Sequence, residues 1–162
     1  AWKWHVLLGG NSNPFDAFLL LNGMKTLELR IERQNASAIK IARFLKAHPK
    51  VSDVFYPGLE THPGHAIAKS QMTGFGGMMS FSLHGNYDQV KKFLPKLKLV
   101  HLGASLGSVS TLAGPPKTTS HVELTDEQRK LLGIPESLIR YSVGIENVED
   151  LIQDLDSALS GV

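Results

Sequence analysis

The apolar positions along the chain change period several times, and each change marks an element. Gly9-Gly10-Asn11-Ser12-Asn13-Pro14 is the first break. Ser12 or Asn13 can cap a helix whose first turn holds Pro14, where a missing N–H costs nothing. Phe15, Phe18, Leu19 and Leu21 then form a short apolar helix that ends near Gly23. From about Thr26 to Ala47, the residues Leu27, Ile31, Ala38, Ile41, Ala42 and Leu45 recur at three- and four-residue steps. Glu28, Arg30, Glu32, Arg33, Lys40 and Arg43 mostly take the other side. This pattern predicts a long amphipathic helix stopped by Pro49.

The second half alternates between strand and helix signals. Val51 to Tyr56 reads as a short strand ended by Pro57-Gly58, and Gly64 to Met72 as a helix. In Gly77 to Leu83, Met79, Phe81 and Leu83 face one way and Ser80 and Ser82 the other, the mark of a half-buried strand. Tyr87 to Leu94 is a helix stopped by Pro95, and Leu97 to Leu102 a strand. Leu106 to Thr119, rich in Gly, Ser, Pro and Thr, reads as an irregular connection. Thr125 and Gln128 match a capping box opening a helix that ends at Gly133. Leu138 to Val143 is a strand, and Val148 to Leu159 a final amphipathic helix. The class is α/β (α+β), a small sheet covered by helices.

Composition narrows the chemistry. At 162 residues the chain fits one domain with a core of its own. It has no cysteine, which excludes disulfides, thiolate zinc sites and cysteine nucleophiles. A net charge of +2 is too small to argue for nucleic acid, and no apolar run is long enough for a membrane span. The start, Ala1 to Leu8, lacks the pattern of a signal peptide and an initiator methionine. Asn35-Ala36-Ser37 is a sequon read as chance.

Arg140 is the most informative side chain. It sits in Leu138-Ile139-Arg140-Tyr141-Ser142-Val143, a strand built to be half buried. A guanidinium there needs an anionic partner or a path to water. Its planar fork suits bidentate capture of a carboxylate. The loop from Ser105 to Leu112 offers hydroxyls and backbone N–H groups around Gly107, either to hold an anion or as an ordinary connection. Gly74-Phe75-Gly76-Gly77 lacks the lysine of a phosphate loop. His62 and His65 stand three apart without a third ligand, so they read as a surface turn. Lys91, Lys92, Lys96 and Lys98 read as a solvated face.

Together these segments resemble the C-terminal part of the pyridoxal-phosphate (PLP) enzymes of cysteine and methionine metabolism: cystathionine γ-synthase, cystathionine γ-lyase and methionine γ-lyase. The matching runs are Asn13 to Ala17, Gly23 to Leu27, Tyr56 to Leu59, Gln71 to Gly77, Ser105 to Gly107, and Leu138 to Glu146 with Glu149 to Leu151. Each is weak, but their order is specific. The resemblance implies the fold of the C-terminal domain of fold-type I PLP enzymes, with a mostly antiparallel sheet. It implies that Arg140 binds the α-carboxylate of an amino-acid substrate, helped by the region of Ser110, Thr111 and Leu112. The family's glutamate is replaced by Ser110, a departure that bears on the substrate.

No lysine matches the family's cofactor motif, and Lys25 lies in the matching helix motif instead. PLP chemistry needs a Schiff-base lysine, an acid for the pyridine nitrogen and a phosphate cradle. The expected organisation is an atypical segment over 1–8, a substrate-binding domain over 9–162, and an absent PLP-binding domain. The expected function is part of a transsulfuration-type enzyme, performing γ-replacement or γ-elimination on a homoserine ester, cystathionine or methionine, and not catalytic alone. The alternative is a non-catalytic truncated homologue that acts in binding, defence or regulation. PLP is expected in the complete enzyme and not on this chain alone. The expected partners are the substrate, further copies or a PLP domain. The expected location is the cytoplasm, or a plastid.

Overall fold

The structure is a computed structural model that describes residues 2–9 and 12–162. Part of the first break, Gly10-Asn11, lies outside the described residues. The chain starts with a short helix α1 (Trp2–Leu8). Asn13 caps helix α2 (Pro14–Met24) by accepting a hydrogen bond from the Asp16 amide, with Pro14 in the first turn as the sequence requires. Helix α3 (Leu27–Ala47) is the long amphipathic element. Then follow β1 (Val51–Phe55), α4 (His65–Gln71), β2 (Met78–Leu83) and α5 (Tyr87–Phe93). The chain continues through β3 (His101–Leu102), β4 (Leu112–Gly114), α6 (Asp126–Leu131), β5 (Leu138–Ser142) and α7 (Val148–Ser160).

Five strands form one sheet in the order β1-β2-β5-β4-β3. Every pairing is antiparallel except β3 with β4. The expected class, a small and mostly antiparallel sheet covered by helices, is what the structure has. One face is apolar: Val54, Met79, Phe81, Ile139, Tyr141 and Ala113 are buried against Ala38, Ile41, Ala42 and Leu45 of α3 and Leu151, Leu155, Ala158 and Leu159 of α7. Fully burying one such aliphatic or aromatic side chain stabilises the fold by about 1.5–3 kcal/mol. Val90 and Phe93 of α5 join the same core.

Three expectations differ from the structure. The strand expected over Leu97 to Leu102 contracts to His101–Leu102. The amides of Lys98 and Leu99 instead donate to the buried carboxylate of Asp154 on α7, which takes them out of any ladder. The connection from Leu106 to Thr119 contains β4, an internal strand of the sheet. Three residues are too few to show a period, so only pairing with β5 makes them a strand. Ser82, expected to face water, is buried without a hydrogen-bond partner.

The capping box at Thr125 and Gln128 forms as read, and Gly133 takes the positive φ that closes the helix region. Asn35 of the sequon lies inside α3, half buried, with its side-chain oxygen accepting from the Gly76 amide. Helix α2 is unlike the other long helices. It buries none of its residues, and Phe15, Phe18, Leu19, Leu20, Leu21 and Met24 are all more than half exposed.

Candidate functional site: a guanidinium under a pinned loop

The sheet face opposite the core carries the chemistry. Directly paired residues share a face, so Phe55, Ser80, Arg140 and Gly114 form one row across four strands. Met78, Ser142, Leu112 and His101 form the next row on that face. Arg140 is thus placed by period-two alternation: Ile139 and Tyr141 fill the core, and the guanidinium emerges on the other side.

Residues 103–111 run along this face and are fixed at many points. Arg140 Nη2 donates to the carbonyls of Ser105 at 2.8 Å and Gly103 at 3.3 Å. The Gly107 amide donates to Ser142 Oγ at 3.0 Å. Gln34 of α3, almost wholly buried, donates through Nε2 to the Ser108 carbonyl at 2.9 Å. The Ile145 amide donates to the Val109 carbonyl at 2.9 Å. Gly114 lets the strand lie close under this loop, since a Cβ there would sit 3.0 Å from the Gly103 carbonyl oxygen.

Thr111 and Glu146 close the far end. The Thr111 amide donates to Glu146 Oε1 at 2.6 Å, and its hydroxyl donates to Oε2 at 2.8 Å. The same hydroxyl accepts from the buried Gly144 amide at 2.9 Å. Gly144 is obligatory here: a Cβ would stand 2.3 Å from the Val109 carbonyl oxygen. Thr111 is fully buried, so it presents no surface to a ligand and acts as an anchor. Ser110 and Leu112, its neighbours in the chain, are half buried, and Leu112 lies on the Arg140 face.

Arg140 itself is incompletely satisfied. Its Nε is buried and has no hydrogen-bond partner, and no carboxylate of the described residues forms an ion pair with it. Two carbonyls give it orientation but no counter-charge. A buried guanidinium N–H without an acceptor costs about 1–3 kcal/mol or more, and the cation as a whole lacks the counter-charge that a carboxylate would supply.

The other candidate groups have the following surroundings. His62 and His65 are engaged in their own turn: His62 Nδ1 accepts from the Gly64 amide and His65 Nδ1 donates to the Pro57 carbonyl. Among the described residues no group of three potential ligands could hold a metal ion. Lys91, Lys92, Lys96 and Lys98 are all exposed. Among the described residues no helix is long and apolar enough to cross a membrane.

Among the described residues no lysine is set up to hold PLP as a Schiff base. A Schiff-base lysine must lose its proton near neutrality, which burial away from carboxylates achieves. Every described lysine but Lys117 is exposed. Lys117 sits against Asp126 and Glu136, which push its pKa up, opposite to that need.

The sequence reading gave no role to Gln34 or Glu146. A signal for Gln34 existed: it falls on the apolar stripe of α3, between Ile31 and Ala38, where a polar side chain needs a partner. Glu146 carried only its place in the matching run Leu138 to Glu146, and its partner Thr111 is 35 residues away.

Comparison with known proteins identifies the family. A model of the family described as Cys/Met metabolism PLP-dependent enzyme matches residues 2–160, which takes in most of the N-terminal segment that looks atypical. L-methionine gamma-lyase of Fusobacterium nucleatum subsp. polymorphum is 47% identical over 96% of this chain and 40% of its own length. Chloroplastic cystathionine gamma-synthase 1 of Arabidopsis thaliana is 44% identical over 98% of this chain and 28% of its own length. The crystal structure of cystathionine gamma synthase from Xanthomonas oryzae pv. oryzae in complex with cystathionine superposes with a TM-score of 0.90 at 44% identity, covering 98% of this chain and 41% of that one. The chain spans at most about 40% of the length of these relatives. With a family model over nearly its whole length and relatives this similar, the chain belongs to the PLP-dependent enzymes of cysteine and methionine metabolism.

Proposed function

We propose that these residues form the C-terminal, substrate-binding domain of a transsulfuration-type enzyme, and that they do not catalyse alone. In the complete enzyme the reaction is γ-replacement or γ-elimination on a homoserine ester, cystathionine or methionine. The observation that carries this reading is Arg140, a half-buried guanidinium with no carboxylate partner among the described residues, in a chain of this family. Arg140 takes the substrate α-carboxylate. Ser110, Thr111 and Leu112 help to hold the same carboxylate, with Thr111 fixing this segment through Glu146. PLP supplies the electron sink for the reaction, and its lysine comes from sequence outside these residues.

The relatives' names support the substrate class: one is a methionine lyase and another a cystathionine synthase, and a solved relative holds cystathionine. The exposed apolar side chains of α2 support association with a PLP domain or with further copies. The location we assign is the cytoplasm or a plastid.

The test has two arms. The chain alone, given PLP and L-cystathionine, releases no keto acid. In the complete enzyme Arg140→Lys lowers kcat/KM by about a hundredfold, from loss of the bidentate contact. Keto acid released by the chain alone, or an unchanged Arg140→Lys enzyme, would sink the proposal. A change in the activity of a full-length relative when this chain is added would favour a truncated regulatory homologue instead.

A further inference from the structure

A second concave site lies away from Arg140, between α3 and α4. It is a cleft of about 550 Å³, within the range of sites for ligands of drug or nucleotide size. Helix α3 contributes Ile39, Arg43 and Lys46, which fall on one stripe, and α4 contributes His65 and Lys69. None of its lining residues makes a hydrogen bond to Arg140 or to the 103–111 loop.

Its charge is unbalanced. Arg43, Lys46 and Lys69 line it against a single carboxylate, Glu60. Among the described residues none of these cations is in an ion pair, whereas Lys40, Lys91 and Lys117 all are. Three cations held around one cleft repel one another, and a dianion relieves that repulsion. The cleft also has an apolar and aromatic wall. The Phe75 ring stacks on His65, with centroids 5.4 Å apart and planes at 26°. His65 is held by its Nδ1–H on the Pro57 carbonyl at 2.8 Å, which leaves Nε2 as an acceptor when the ring is neutral. A flat body against Phe75 and a doubly charged group among the cations is the ligand shape this lining selects.

We propose that this cleft binds a phosphomonoester with an aromatic or nucleoside-sized body, at a site separate from the substrate carboxylate. A phosphomonoester carries nearly two negative charges at neutral pH, more than a carboxylate offers in the same space.

Phenyl phosphate, inorganic phosphate and phenol, titrated at constant ionic strength and followed by amide NMR shifts, test it. Phenyl phosphate is expected to move the amides of Gly58, Thr61, Lys69 and Phe75, and to bind at least about fivefold tighter than either fragment. Because each cation is exposed, the double variant Arg43→Glu, Lys69→Glu folds normally and weakens binding about tenfold or more. Lys91→Glu, outside the cleft, and Arg140→Met leave binding unchanged. Equal weakening by Lys91→Glu would mean general electrostatics and overturn the site, as would shifts mapping elsewhere or phenol binding as well as its ester. Because Arg140→Met is separate, failure here leaves the substrate reading standing.

Discussion

Replacing Thr111 with Val keeps the shape of a fully buried side chain and deletes its hydroxyl. Two bonds go with it. The first is the donation to Glu146 Oε2 at 2.8 Å, a bond to a carboxylate worth about 1.5–3 kcal/mol. The second is acceptance from the Gly144 amide at 2.9 Å, which leaves that buried N–H unpaired at about 1–3 kcal/mol. Glu146 is only half buried and still holds the Thr111 amide, so water can replace part of the first loss. The expected destabilisation is therefore about 3 kcal/mol. In a urea titration with a slope of about 2 kcal/mol/M, the midpoint falls by about 1.5 M with the slope unchanged. Thr111→Ser keeps both bonds and gives up one methyl, a loss of about 1 kcal/mol. The reasoning fails if the Val variant loses less than about 1 kcal/mol, or if the Ser variant loses as much as the Val.

Two further outcomes are expected. Burial pushes the Tyr56 phenol up to about 12, with its hydroxyl donating to the Gly76 carbonyl at 2.9 Å. A raised folded pKa on an acid means the native state holds its proton longer, so stability is intact below pH ~10 and falls as pH climbs toward ~12. Denaturant midpoints measured from pH 8 to 12 check this, and a flat profile would contradict it. On α2, Phe18 and Leu20 are 57% and 66% exposed, so the chain should bind a hydrophobic dye and self-associate at high concentration. Phe18→Lys with Leu20→Lys should reduce both without lowering the urea midpoint, since neither side chain is in the core; a drop in the midpoint would place α2 inside the folded unit.

Much of this fold is written locally. The stripe of α3, the Asn13 and Thr125 caps, and the alternation of β2 and β5 each depend on residues a few positions apart. Rotamers, caps and face periodicity act at that range, so the sequence exposes them. Arg140 was legible for the same reason: alternation along one strand puts it opposite Ile139 and Tyr141. The ordered family motifs then gave the family.

The surroundings of that arginine were not legible. β4 exists because β5 pairs with it, and the apparent strand at Leu97 yields because Asp154, 56 residues on, takes the Lys98 amide. Thr111 looked like a ligand-binding hydroxyl, but the fold brings Glu146 and Gly144 to it and uses the group up. Each outcome is a competition between water, a ligand and a distant partner for the same polar atom. Sequence names the atom, but only tertiary structure brings the competitor near enough to win.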